Sequence, residues 1–318
     1  MNKLRLFIIG IGMGIANIIP GVSGGTIALI TNIFDELLNS LKKFDKKALT
    51  FLIKFKFKDF SKHTNLNFII LVFGGIVFSM AILSIIFKIL FEARENDING
   101  YYEQIFAFFF GLILASVYYV GIRINKWNSK IILLFLIGAG TAVLLTTYSI
   151  WTDFPAPEEN KNLIYIFICG MVAVVGMLLP GISGSMILMI MGNYDLLMVE
   201  TINNISTLQG DTETTIRLIV FIIGAIFGLV ACAKVVSWLF NKFKNHVLSV
   251  LTGFILGSLF AVWPWVERNG DSIFQKNPIT GYKVPENLDN MTILCFVLSL
   301  IGYYVVMKIE STALKNEK

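Results

Sequence analysis

Charge is scarce in this sequence. Only 15% of its 318 residues are Asp, Glu, Lys or Arg, where a soluble domain carries about a quarter. A chain of this length cannot cover its surface for water with so few charges, so water is excluded as its main solvent. Histidine is nearly missing: His63 and His246 are the two present, and both fall at the borders of apolar stretches. Chemistry that needs an imidazole base within an apolar environment therefore has no candidate. The three cysteines, Cys169, Cys232 and Cys295, sit singly inside apolar runs, with no CxxC and no Cys/His spacing. They read as small buried hydrophobes rather than as metal ligands or a disulfide framework, and no cofactor or metal is expected. The seven prolines are so few that each one inside an apolar run marks a break.

Apolar sequence is what the chain has instead. Hydrophobic residues make up 56% of it, and the mean hydropathy is +0.74. Eight apolar stretches stand out, at 4–39, 66–91, 101–121, 131–150, 162–199, 216–240, 247–266 and 290–308. Six have the length of one bilayer crossing, roughly 20 residues. The first and fifth are far longer and are interrupted midway, at Pro20-Gly21 and Pro180-Gly181. Thirty-six helical residues would span about 54 Å against a ~30 Å hydrocarbon core, and two full crossings would need more residues than are present. Two short helices meeting at a break within the membrane fit best, which makes each stretch a re-entrant hairpin. The first resembles a signal peptide, but its apolar run continues to Thr31 with no A-x-A site, and its pattern recurs mid-chain.

Charge placement sorts the loops into two sets. With the N-terminus in the cytoplasm and both hairpins re-entrant, the inner segments 1–5, 40–65, 122–130, 241–246 and 307–318 hold 18 of the 26 basic residues. The outer segments 92–100, 151–161, 200–215 and 267–289 hold five, Arg94 among them, and are rich in acid. This is the positive-inside pattern, and it explains the net charge of +5 without nucleic acid. Both termini are then cytoplasmic. Segment 40–65 reads as a basic amphipathic surface helix suited to anionic lipid heads, or to anchoring topology.

Shifting the chain by 160 residues aligns Phe7, Ile8, Gly10, Pro20, Gly21, Ser23, Gly24, Ile27, Ile30, Asp35 and Leu37 with identical residues from Phe167 to Leu197. A second echo places Gly111, Ile113, Leu114 and Ser116 on Gly253, Ile255, Leu256 and Ser258. The expected fold is an all-α polytopic membrane protein of two inverted repeats, each a re-entrant helical hairpin plus three transmembrane helices. The first repeat is 1–155, with hairpin 4–39, the amphipathic 40–65 and crossings 66–91, 101–121 and 131–150. The second is 156–318, with hairpin 162–199 and crossings 216–240, 247–266 and 290–308. Inverted repeats with broken helices are the pattern of alternating-access transporters.

The breaks read Pro20-Gly21-Val22-Ser23-Gly24-Gly25-Thr26 and Pro180-Gly181-Ile182-Ser183-Gly184-Ser185-Met186. Proline stops the incoming helix. The outgoing helix then begins with free N–H groups and a positive dipole end, with hydroxyls close by, which is a ready anion site. Ser23, Gly24, Gly25, Thr26, Ser183, Gly184 and Ser185 are therefore candidate binding residues, and plain glycine-packed kinks are the bland reading. Cations within apolar stretches are further candidates: Arg217 and Lys234 on 216–240, and Lys88 on 66–91, with interfacial snorkelling as the alternative for Lys88 and Arg94. Asp35 and Asp195, matched in the repeat, read as capping or loop residues, with ion coupling as the alternative; Glu103 reads as an interfacial charge, with a proton-sensitive group as the alternative.

At these residues the chain resembles the bacterial polyprenyl-phosphate transporters. PGVSGGT near the N-terminus, PGISGS mid-chain, FFFGLILAS and GFILGS carry the likeness, and it covers essentially the whole chain. The resemblance implies flipping of undecaprenyl phosphate across the bacterial cytoplasmic membrane for carrier-lipid recycling in cell-wall synthesis. The partners it implies are the polyprenyl phosphate lipid and the membrane; a homodimer is left open. The residues themselves support an anionic, lipid-borne headgroup. A carrier of a small soluble anion is the alternative. An intramembrane enzyme is the remote one, since GVSG matches a serine-protease string that lacks its histidine.

Overall fold

The computed structural model describes residues 2–18, 24–92, 99–151, 159–201, 204, 211–268, 279–285 and 287–315. Along the first half run α1 (Lys3–Ile18), α2 (Gly24–Ile30), α3 (Phe34–Leu41), α4 (Lys46–Ile53), α5 (Phe57–Thr64), α6 (Leu66–Glu92), α7 (Asn99–Gly121) and α8 (Ser129–Trp151). Along the second run α9 (Leu163–Leu178), α10 (Gly184–Ile190), α11 (Asp195–Glu200, wound as a π-helix), α12 (Thr212–Lys242), α13 (Lys244–Gly257) and α14 (Asn290–Lys315). Two short antiparallel strands, β1 (Val266–Arg268) and β2 (Ile279–Tyr282), join α13 to α14; the apolar pattern does not mark them. Among the described residues, α6, α7, α8, α12 and α14 are long and apolar enough to cross a bilayer. They leave apolar side chains such as Val77, Leu144, Ile226, Phe227 and Leu300 more than half exposed. Such surfaces are stable against lipid, and the protein is an all-α polytopic membrane protein.

One stretch departs from its expected form. Segment 247–266 reads as a full crossing, but α13 spans 14 residues and continues only as a 3-10 turn at Ser258–Phe260. Pro264 follows, and Trp263 Nε1 donates to the Lys283 carbonyl at 2.9 Å, turning the chain into the strand pair. With Leu248, Leu251, Thr252, Gly253 and Ile255 all buried, α13 belongs to the core rather than the lipid face. Segment 40–65 is likewise not one helix but two, α4 and α5, folded against each other.

The packing in the two halves corresponds pair by pair. α1 lies along α6, and α9 along α12; α7 lies along α14, and α8 along α13. Glycine makes each approach close. A Cβ on Gly10 would strike the Val72 carbonyl, and one on Gly75 the Phe7 carbonyl; in the second half Gly170 meets Phe221 and Gly224 meets Phe167 in the same way. In the crossed pairs, Gly111 meets Ser299 and Gly302 meets Phe108, matched by Gly253 on Phe135 and Gly138 on Val250. Within membranes such small-residue seams supply the packing that the hydrophobic effect cannot.

Helix ends match as well. α2 closes with Asn32 N donating to Leu29 O (3.3 Å) and Ile33 N to Ala28 O (3.0 Å). α10 closes with Gly192 N donating to Met189 O (3.0 Å) and Asn193 N to Leu188 O (3.1 Å). Both are Schellman endings with a left-handed residue, Asn32 (φ 63) and Gly192 (φ 74). Glycine accepts that conformation freely, and other residues pay about 1 kcal/mol or more for it.

Candidate functional site

At the second break, α9 stops because Pro180 forces the preceding residue out of the helical region: Leu179 is extended at φ −79, ψ 126. Ile182 N then reaches Leu179 O at 3.4 Å, a turn with proline second and glycine third, where Gly181 takes φ +82. Gly181 also lies so close to the main chain of Phe254 and Ile255 on α13 that no side chain fits. Ser183 is extended and heads α10, is 6% exposed, and its Oγ lies 2.8 Å from Ser185 Oγ. Ser183, the residue ahead of α10, makes no side-chain cap hydrogen bond to it among the described residues. The result is a part-buried hydroxyl pair at the start of a helix, where N–H groups and the dipole favour an anion.

At the first break, Pro20, Gly21 and Ser23 lie outside the described residues. From Gly24 onward α2 is described, with Gly24, Gly25 and Thr26 all buried. Gly24 N donates to Asn17 Oδ1 at 2.7 Å, so a side chain from α1 reaches across the break and takes the first free N–H of α2. Asn17 is not among the residues that sequence reasoning singles out. Its signal there is that of an amide alone in an apolar helix, with Met177 at the matching position of the second half. Arg123, by sequence only a cytoplasmic charge, is another. Its Nη1 donates to the Leu29 carbonyl at 2.9 Å, in the last turn of α2, where a cation complements the helix dipole.

The start of α2 lies close to the second break in space. A Cβ on Gly25 would strike the Leu178 carbonyl and lie 3.3 Å from Pro180 N. The start of α2 thus rests against the end of α9, and Leu178 belongs to the same apolar core as α1 and α2.

The candidate cations are dispersed. Arg217, on the second turn of α12, is 5% exposed. It donates to Glu213 one turn earlier and, through Nη1, to Glu200 Oε1 at 3.4 Å. Its Nε is buried without a partner among the described residues. Lys234 is exposed on the flank of α12 that presents Val235 and Trp238. Lys88 lies in α6, and its side chain is outside the described residues, as is Arg94. Asp35 opens α3 and Asp195 opens α11. His63 faces Asp45 (Nε2 to Oδ1 3.1 Å) and His246 lies edge-on to Phe243. Among the described residues no cluster of His, Cys, Asp and Glu has the makings of a metal site.

On the cytoplasmic side of the expected topology, α3 is tied to α12. Lys42 Nζ donates to Ser237 Oγ at 3.1 Å, Ser237 Oγ donates to Asn39 Oδ1 at 3.4 Å, and the rings of Phe34 and Phe240 lie 6.2 Å apart.

Comparison with known proteins adds to this geometry. The profile of the family described as Undecaprenyl phosphate translocase-like matches residues 13–277. A Vibrio cholerae protein named polyprenyl-phosphate transporter is 32% identical over 99% of this chain and 98% of its own length. A Staphylococcus aureus protein of the same name is 29% identical over 82% of this chain and 86% of its own. No solved structure matches the chain.

Proposed function

Because the chain belongs to the undecaprenyl phosphate translocase-like family, we propose that it flips undecaprenyl phosphate between the leaflets of the bacterial cytoplasmic membrane, as a carrier with no covalent chemistry of its own. The headgroup binds between the two Pro-Gly-x-Ser-Gly breaks, and the isoprenoid tail stays in the lipid outside. The observation that carries this reading is the contact of Gly25 with Leu178 and Pro180: the donor-rich start of α2 rests against the end of α9, at the break from which α10 leaves with Ser183 and Ser185. Anion binding at such ends needs no side-chain cation. The second break is the stronger half, because Ser183 and Ser185 head a helix that Ser183 does not cap while Asn17 already occupies Gly24 N. Arg217 receives the headgroup at the outer face, its carboxylate partners Glu200 and Glu213 giving way to phosphate.

The two halves act as inverted repeats, with both termini in the cytoplasm. The matched glycine contacts support a twofold relation between them, and the distribution of lysine and arginine supports the orientation. Half-site exchange then moves the headgroup from one side to the other.

Reconstitution tests the proposal. Purified protein in liposomes is assayed for transfer of undecaprenyl phosphate between leaflets, with Ser23→Ala, Ser183→Ala and Arg217→Ala beside wild type. Faster exchange than in empty liposomes, reduced in the variants, is expected. Exchange no faster than in empty liposomes sinks the flippase reading; unchanged rates in all three variants sink the site.

A further inference from the structure

The reversal between α4 and α5 repeats the hydrogen bonding of the two Schellman endings already described. Phe55 N donates to Leu52 O (3.0 Å) and Lys56 N to Phe51 O (2.8 Å). Its left-handed residue is neither glycine nor asparagine but Phe55, at φ 52. A bulky side chain is a poor choice there, and the fold gains little from the ring, which is 78% exposed. It meets the ring of Phe57 at 6.1 Å, itself 61% exposed. Ile53 and Leu49 are exposed beside them. A strained residue that presents an apolar ring outward points to a role outside the fold.

The charges around the tip say what that role is. Lys54, Lys56 and Lys58 alternate with Ile53, Phe55 and Phe57, and residues 40–65 hold eight lysines against two aspartates. The root of the hairpin is fixed. Asp45 caps α4 by accepting from Lys47 N and Ala48 N and faces His63. Phe44 packs edge-on to Phe60, and Asn65 Nδ2 donates to Glu36 Oε1 at 3.0 Å. One residue later α6 begins, and with it the apolar bilayer stretch. The tip is therefore carried on a rigid support at the boundary of the membrane. Beside it lies an open groove of about 640 Å³, partly apolar, where Phe57 and Leu66 stand with Lys58, Ser61, Lys62 and Asn65.

We propose that the α4–α5 tip is a bilayer anchor selective for anionic phospholipid: Ile53, Phe55 and Phe57 enter the interface of the leaflet from which α6 starts, while Lys54, Lys56, Lys58 and Lys62 take the headgroups. The combination of apolar wedge and cationic flank is what an anionic lipid surface recognises. It is independent of the transport reading.

The test uses the full chain with Cys169, Cys232 and Cys295 replaced by alanine and a nitroxide attached at Phe55→Cys. The protein is reconstituted in phosphatidylcholine, with or without phosphatidylglycerol. Collision with oxygen against a water-soluble nickel chelate reports depth. Phosphatidylglycerol is expected to shift the label toward oxygen, and a Lys54/Lys56/Lys58/Lys62→Gln variant should lose the shift. A label equally open to nickel in both membranes overturns the proposal, and so does equal protection in both. A second variant separates the ring's two roles. Phe55→Gly in detergent should melt no lower than wild type, because glycine suits the left-handed position, yet should lose the rise in melting temperature that phosphatidylglycerol gives wild type. A lower melting temperature with an intact lipid response would assign the ring to the fold and overturn the anchor. Protection that depends on protein concentration rather than lipid would assign the tip to a protein contact, with the same consequence.

Discussion

Gly25, at the start of α2, lies against the main-chain carbonyl of Leu178, the last residue of α9. No side chain larger than hydrogen fits between them. Gly25→Ala should therefore force the start of α2 away from the end of α9, at a cost of about 1–3 kcal/mol for overpacking. Thermal unfolding in detergent and the leaflet-exchange assay should both register it, with exchange falling more than stability. Gly140→Ala, where the added carbon meets nothing within 4 Å, is the control and should leave both unchanged.

Asn17 and Met177 occupy matching positions: Asn17 accepts from the first N–H of α2 through its amide oxygen, while Met177 lays an apolar methylene against Gly184 at the start of α10. Asn17→Ala should destabilise the chain by about 1 kcal/mol, as for loss of an N-cap. Met177→Asn offers α10 the cap that α2 already has. If the second break binds phosphate through its free donors, that variant should bind lipid phosphate several-fold more weakly in an equilibrium assay, with little loss of melting temperature.

Arg217 is buried, while its partners Glu200 and Glu213 reach solvent. Removing the cation strands no buried acid, so Arg217→Gln should cost less than a fully buried pair, about 1–2 kcal/mol. Arg217→Lys keeps the charge but not the paired geometry, and should keep most of the stability while lowering exchange. Equal exchange in Arg217→Lys and wild type would show that charge alone suffices.

Ser237 of α12 joins Asn39 of α3 and Lys42, the residue just after it. If α3 and α12 separate during each cycle, Asn39→Cys with Ser237→Cys should crosslink on mild oxidation and stop exchange, and reductant should restore it. A crosslinked protein that exchanges at the wild-type rate would show that this contact never opens.

Asp211 and Asp289 cap α12 and α14, each accepting a backbone N–H at 2.7 Å, from Thr214 and Thr292. These hydrogen bonds hold both carboxyls below the usual carboxylate range. A carboxyl whose pKa is lowered on folding stabilises the fold above its unfolded pKa, near pH 4. That contribution is lost as pH falls through the lower folded value. Melting temperature should therefore drop on acidification below about pH 4, and Asp211→Asn with Asp289→Asn, which caps without titrating, should flatten the drop.

Much of this architecture is readable from residues alone, because membranes leave few choices. Apolar length marks the long helices, and Pro180-Gly181 marks a break whose turn follows from the dihedrals those two residues allow. The correspondence of Gly10 with Gly170 is visible as identity; that both press on a neighbouring backbone is not, since the partner lies on another helix far along the chain. Segment 247–266 is shorter as a helix than its composition implies, because a core helix and a lipid-facing one have the same composition, and only its neighbours α7 and α8 distinguish them. The lysine-rich segment 40–65 has the pattern of one amphipathic helix because the stop at Phe55 carries no glycine to announce it. Asn17 escapes notice because a cap seven residues distant matches no local motif.

The glycine seams have a mechanical meaning. Where backbone rests on backbone over several turns, two helices cannot slip past each other without steric collision, so α1 with α6, α9 with α12, α7 with α14, and α8 with α13 each behave as a stiff plank. Any large rearrangement must then fall between planks rather than within them.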